Sequence, residues 1–148
     1  MWRNGKVIDL GSLGGTYGAP FHINDRDEVI GYSNLTGDAT YHAFFWHKGT
    51  MTDLSPLPGA SFSAAFGMNE VGQAVGGSWS PKGNHGHYAT YRAVLWQRGE
   101  VTDLNTLVPK NSLPLLEANK INDRGEIVGI AYDPRTGNLP GFVAIPTR

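Results

Sequence analysis

The sequence predicts an all-β chain built from three four-stranded repeats, and three observations predict it. A nine-residue phrase occurs three times, as Ile23-Asn-Asp-Arg-Asp-Glu-Val-Ile-Gly31, Met68-Asn-Glu-Val-Gly-Gln-Ala-Val-Gly76 and Ile121-Asn-Asp-Arg-Gly-Glu-Ile-Val-Gly129; its Asn stands at 24, 69 and 122, at intervals of 45 and 53 residues. A second phrase alternates with it, as Trp46-His-Lys-Gly-Thr-Met-Thr-Asp-Leu54 and Trp96-Gln-Arg-Gly-Glu-Val-Thr-Asp-Leu104, and opens the chain as Trp2-Arg-Asn-Gly-Lys-Val-Ile-Asp-Leu10. No stretch of ten or more residues shows helical periodicity bounded by caps. Repeats of this period belong to propellers, solenoids or arrays.

In chain order, Lys6 to Leu10 is partly β-branched and alternating, and reads as a short strand. Gly11 to Gly15 reads as a turn and Tyr17 to Ile23 as the next strand. Asn24 to Asp27 is a tight turn, because Asn and Asp side chains cap their own backbone and tolerate left-handed geometry. The other copies carry Gly72 and Gly125 at its fourth position, where a positive φ costs glycine nothing. Glu28 to Ser33 completes a hairpin, Asn34 to Thr40 is a polar loop, and His42 to Trp46 is a strongly apolar strand. The turn His47 to Gly49 leads into the strand Thr50 to Leu54. The second unit repeats this with strands Ser63 to Met68, Gln73 to Trp79, Tyr91 to Trp96 and Glu100 to Leu104, and a longer loop, Ser80 to Thr90. The third has Leu115 to Ile121, Glu126 to Tyr132 and Gly141 to Ile145, with the loop Asp133 to Pro140.

One domain of three repeats follows, at about 11–54, 55–104 and 105–148. The third repeat lacks a fourth strand, and residues 6–10 are an extra copy of it. An N-terminal strand completing the last repeat closes a ring without exposed edges, as β-propellers do. Three blades are fewer than propellers use, so the expectation is a six-bladed ring in a homodimer, each N-terminal strand completing the other chain's last blade. The monomeric alternatives are a β-trefoil or a β-prism.

The 148 residues carry a formal net charge of −1, so no basic surplus points to nucleic acid. No Cys is present, which excludes disulfides and thiolate metal sites. The 20 Gly and 9 Pro fall at repeated turn positions. No apolar run approaches the roughly 18 residues of a spanning helix, and the N-terminus lacks a signal-peptide pattern, so no membrane partner is expected.

The Asp9-Leu-Gly-Ser-Leu-Gly-Gly15 run, the three Asn-containing hairpins, the His42-Ala43-Phe44 strand and the Trp46 to Gly49 turn resemble the HAF repeat, a family described as a probable extracellular repeat. The resemblance covers nearly the whole chain. Unit two departs from it with Tyr91-Arg-Ala93, unit three with Gly141-Phe-Val143, and Thr106 to Leu115 replaces the Gly-Gly turn. It implies propeller-like β-repeats, a bacterial origin and export, and it implies no reaction.

Asp9, Asp53 and Asp103 recur at equivalent positions, which suggests either a ring of acids or strand-end carboxylates that accept turn N–H groups. The repetition favours the second, since an active site needs unlike residues in unlike roles. The acids of the Asn hairpins lack the spacing of an EF-hand and suit turn chemistry. His85 and His87, in Asn84-His-Gly-His87, resemble a metal pair, but a closed zinc site needs more ligands. Trp2, Trp46 and Trp96 share one turn position and suit packing, the indole N–H finding a turn carbonyl. The loops between second and third strands differ among units and bring Tyr32, Tyr41, Trp79, Tyr88, Tyr91 and Tyr132 to one face. Variable loops on a rigid scaffold are where binding resides, and aromatics beside Asn, Asp and Gly suit a carbohydrate or a small polar ligand. No nucleophile elbow, P-loop or dinucleotide fingerprint is present. The expectation is a non-catalytic binding or interaction module without metal or cofactor; the alternative is a propeller-type hydrolase or lyase with its site in a central channel.

Overall fold

The computed structural model describes residues 2–81 and 90–147, with Trp2 and Arg3 as backbone only. Within these residues the chain is all-β, with one 3-10 turn at Leu104–Thr106. β1 (Trp2–Arg3) and β2 (Lys6–Val7) form a small hairpin. Sheet one is β3 (Gly14–Ile23), β4 (Val29–Leu35), β5 (Tyr41–His47) and β6 (Thr50–Leu54), in that order. Sheet two repeats it with β7 (Phe62–Met68), β8 (Ala74–Trp79), β9 (Arg92–Gln97) and β10 (Glu100–Asp103). Sheet three has β11 (Leu115–Ile121), β12 (Ile127–Ala131) and β13 (Gly141–Ala144), with β13 at its edge. All pairings within the sheets are antiparallel.

Strand alternation gives each sheet two apolar faces, and the sheets stack face to face. Ile30, Ala43 and Phe45 of sheet one pack on Ala74, Val94 and Trp96 of sheet two. On the far side of sheet two, Val75, Ala93 and Leu95 pack on Ile127, Ala131, Phe142 and Ala144 of sheet three. The other face of sheet one, Val29, Phe44 and Trp46, is packed among the described residues by Ile8, Leu10, Leu13 and its own Met51. The first strands β3, β7 and β11 are neighbours, so the sheets fan out from their leading edges.

The Asn turns hold the stack in register. Asn24 Oδ1 accepts the N–H of Arg26 and Glu28, and the same side-chain cap recurs at Asn69 and Asn122. The fourth turn position has positive φ in every copy, 60° at Asp27, 81° at Gly72 and 78° at Gly125, so Asp serves where the other repeats use Gly. The amide then reaches the next sheet: Asn24 Nδ2 donates to Asn69 O at 3.4 Å, and Asn69 Nδ2 to Asn122 O at 3.0 Å. The backbone follows, with Asp25 N donating to Glu70 and Glu70 N to Asp123. The same relation therefore carries sheet one onto sheet two and sheet two onto sheet three.

Most strand boundaries differ from the sequence expectation by one or two residues, and three differ in kind. The N-terminal strand pairs only at Lys6–Val7, and Ile8 to Leu10 belong to no strand. Gly14 and Gly15 lie inside β3 rather than in a turn, because Gly14 pairs with Leu35. Leu104 leaves the strand for the 3-10 turn, which Asp103 caps by accepting the Asn105 N–H.

Candidate functional site

The β4–β5 and β8–β9 ends of sheets one and two carry a chain of touching rings. Tyr32 and Tyr41, from adjacent strands on one face, have centroids 4.7 Å apart. Tyr41 meets Phe62 at 4.8 Å and Trp79 at 5.8 Å across the sheet boundary. Trp79 stacks on Tyr91 at 5.3 Å with planes 3° apart. Four of the residues expected from the sequence are thus brought into one array. Tyr132 takes in sheet three the place Trp79 takes in sheet two, its N–H bonded to Pro114 O. Tyr88 lies outside the described residues, as do His85 and His87.

The sequence reading missed the other half of the row. Tyr17 and Phe21 of β3 sit 6.0 and 5.6 Å from Tyr32, and Phe21 meets Phe66 of β7 at 5.5 Å. Tyr17 is 56% exposed and Phe21 46%, so this end opens to solvent, while Tyr32, Tyr41, Trp79 and Tyr91 are half-buried. The only local signal was two aromatics, Tyr17 and Phe21, four apart in one expected strand with the small Ala19 between them.

Beside Tyr17, Asp38 accepts Thr16 N at 2.8 Å, Thr16 Oγ1 at 2.9 Å and Asn34 Nδ2 at 3.1 Å. The Thr16 N–H, the Asn34 amide and the Thr16 hydroxyl hold its carboxyl below the usual range, so the loop is pinned by an ionised Asp. Burial raises the Tyr32 phenol, with Tyr17 and Tyr41 adding to the shift, and burial raises Tyr41 also. Both phenols therefore stay neutral near pH 7. The surface combines neutral rings, a fixed carboxylate and loop amides, groups that offer stacking faces beside hydrogen-bond donors and acceptors.

The repeated acids have structural partners. Asp9 Oδ1 accepts Gly11 N and Asp103 Oδ1 accepts Asn105 N, each at 2.9 Å. Asp53 meets His42 Nδ1 at 2.9 Å, and the equivalent Asp103 stands 3.8 Å from Arg92, so a cross-strand contact between the Asp and a basic side chain recurs in both repeats. Glu28 and Glu126 in the hairpin turns are already paired with Arg26 and Arg124. Among the described residues no three His, Cys, Asp or Glu are grouped to hold a metal ion. No family model, curated protein or solved structure matches this chain, so the HAF-like phrases rest on their residues alone.

Proposed function

We propose that this chain is a non-catalytic ligand-binding module of HAF-repeat type whose aromatic row takes a carbohydrate or a similar small polar ligand. The observation that carries the reading is the row itself: eight rings in unbroken contact from Tyr17 to Tyr91, spanning two sheets and solvent-open at the Tyr17 end. Packing alone does not require Tyr17 and Phe21 to be aromatic, because both are largely exposed. Sugar rings present C–H faces that stack on such surfaces, while their hydroxyls meet neutral phenols and loop amides.

In this reading the three sheets are propeller blades, and two chains close a six-bladed ring. The repeated face-to-face stacking and the Asn relay favour it over a trefoil or prism, whose units pack about a shared threefold core. The test is affinity electrophoresis against a panel of soluble polysaccharides, followed by calorimetry on any hit. Tyr17→Ala and Trp79→Ala are expected to weaken binding roughly tenfold or more, by losing about 1–3 kcal/mol of stacking each. Retardation by no glycan, or binding that ignores both substitutions while circular dichroism stays native, would sink the proposal.

A further inference from the structure

Between sheets two and three lies a cavity of about 570 Å³, bounded by Leu95, Leu104, Leu107, Ile121, Ile127 and Ala144. The repeat explains its shape. The Asn turns match Ile121 and Ile127 to Met68 and Ala74, the Trp-to-Leu phrases match Leu95, Leu104 and Leu107 to Phe45, Leu54 and Leu57, and the ladder register matches Ala144 to Trp96. Five of those six pack around the sixth, the Trp96 indole, between sheets one and two. The cavity is the same chamber with Ala144 where the indole stands. Ala144 faces Ile127 across the ladder as Trp46 faces Val29 and Trp96 faces Ala74.

The N-terminal hairpin repeats the segment that holds this place in the other sheets. Trp2 pairs with Val7 in the register that joins Trp46 to Met51 and Trp96 to Val101. Val7 is 84% exposed although its counterpart Val101 packs in the core between sheets one and two. Ile8 to Leu10 lie in no strand, yet their counterparts Thr52, Asp53 and Leu54 pair with Phe45, Phe44 and Ala43 of the third strand of sheet one. The third strand of sheet three, β13, is the one with a free edge. This hairpin cannot serve its own β13, because Ile8, Leu10 and Leu13 pack on the far side of sheet one with two sheets between.

We propose that the cavity beside Ala144 receives Trp2 and Val7 of a second copy of this chain, with Ile8 to Leu10 of that copy pairing along β13. The proposal rests on reading the sheets as blades. Val143 then faces Ile8 and Phe142 faces Asp9, by the pairing of Phe45 with Thr52 and Phe44 with Asp53. In the completed sheet Ala144 gives up its place opposite Ile127 to Trp2, so the third strand has two pieces, Gly141 to Val143 from one copy and Trp2 to Arg3 from the other. Ala144 is small because a partner's indole takes its place.

Two further groups fit. Trp96 Nε1 donates to Ser55 O at 2.9 Å, whereas the buried Trp46 Nε1 has no hydrogen-bond acceptor. The residue equivalent to Ser55 is Gly11, which follows directly on the segment that would be drawn into the ladder. Val128 and Val143, which strand alternation turns to the outer side of sheet three, are 42% and 65% exposed, and they become the face that meets Val29, Phe44 and Trp46 of the second copy. The closure is isologous and two-fold, so it ends at a dimer.

The test uses the full chain. Light scattering is expected to give twice the 16.0 kDa chain mass. Trp2→Ala should raise the dimer dissociation constant roughly thirtyfold or more, the usual result of removing a buried interfacial Trp. Ala144→Trp fills the chamber from within and should give a folded monomer. The chain has no cysteine, so Ile8→Cys and Val143→Cys chains, when mixed and oxidised, should form one cross-linked heterodimer, and neither should cross-link alone through this register. A monomeric wild-type chain overturns both this inference and the ring. A dimer that ignores Trp2→Ala and Ala144→Trp and yields no mixed cross-link overturns this inference and leaves a dimer built on other surfaces. The sugar-binding reading survives either result, since Tyr17 and Trp79 are probed separately.

Discussion

At the residue scale, one asparagine does three jobs in each of the first two repeats. Asn69 is buried; its Oδ1 caps Gln73 N, and its Nδ2 bonds Gln73 Oε1 at 2.7 Å and Asn122 O at 3.0 Å. Asn69→Ala leaves those groups unpaired away from water, and a buried unpaired polar group costs about 1–3 kcal/mol. The expected loss in urea unfolding is about 3 kcal/mol, against about 1 kcal/mol for the exposed Asn122→Ala; equal losses would show that the relay between turns contributes nothing. The same turns carry an acid dependence. Burial disfavours the Glu28 carboxylate, but bonds from Arg26 and Asn24 outweigh it and lower its folded pKa below the reference 4.5. Its contribution is thus complete above pH 4.5 and is lost as pH falls through the lowered folded value. Sheet two carries the neutral Gln73 at this position, so Glu28→Gln should fold and should flatten the fall in melting temperature between pH 5 and 3. A fall as steep as in the wild type assigns the acid sensitivity to other groups. The recurrence of Asn and Glu was legible in the sequence. Their reach into the neighbouring repeat was not, because it depends on how two sheets stack and no local pattern encodes that.

At the element scale, each first hairpin joins a bulged strand to a glycine. The register slips between Pro20 and His22, between Ala65 and Gly67, and between Ala118 and Lys120. Opposite the start of each slip stand Gly31, Gly76 and Gly129, where an added Cβ would collide with the carbonyl oxygens of Ala19, Ala64 and Glu117. Gly76→Ala must push two backbones apart and is expected to cost about 1–3 kcal/mol in equilibrium unfolding. Gly141→Ala, whose Cβ meets nothing nearer than 3.8 Å, should be neutral. Indistinguishable values would remove the steric account of the repeated glycine. The strands themselves were readable from alternation and turn residues, and most boundaries fall within a few residues of expectation. The exceptions are few: β3 runs on to Gly14 because Leu35 offers a partner, and the ladder of the N-terminal hairpin ends at Val7, with Ile8 to Leu10 in no strand. Of the aromatic row, Tyr32, Tyr41, Trp79 and Tyr91 were legible at loop ends. Tyr17, Phe21, Phe62 and Phe66 were not, because they come from first strands whose neighbour across the sheet boundary is a fact of tertiary packing.

At the scale of the whole molecule, sheet two differs from its neighbours in having both faces covered. Val75 and Ala93 are fully buried against sheet three, and Val94 is fully buried against sheet one. Sheet three turns Val128 and Val143 outward, and the far face of sheet one carries little beyond the Ile8 to Leu13 segment. In stacked repeats each unit is stabilised by its neighbours, so the middle sheet should open only on global unfolding while the outer strands open locally. Amide exchange in dilute protein is therefore expected to be slowest in β8 and β9 and fast in β2 and β13. Val75→Ala removes two methyl groups from a site that cannot collapse, and should cost about 2 kcal/mol and speed exchange in the slowest amides by the same free energy. Val143→Ala, on a solvent-facing position, should leave the dilute protein unchanged. Raising the concentration separates the isolated chain from the closed ring: closure predicts that β13 and Ile8 to Leu10 gain protection together, with Val143→Ala now weakening it. Protection in β13 equal to that in β8 at every accessible dilution would contradict the ordering, because an edge strand with one covered face would then be as hard to open as the centre of the stack.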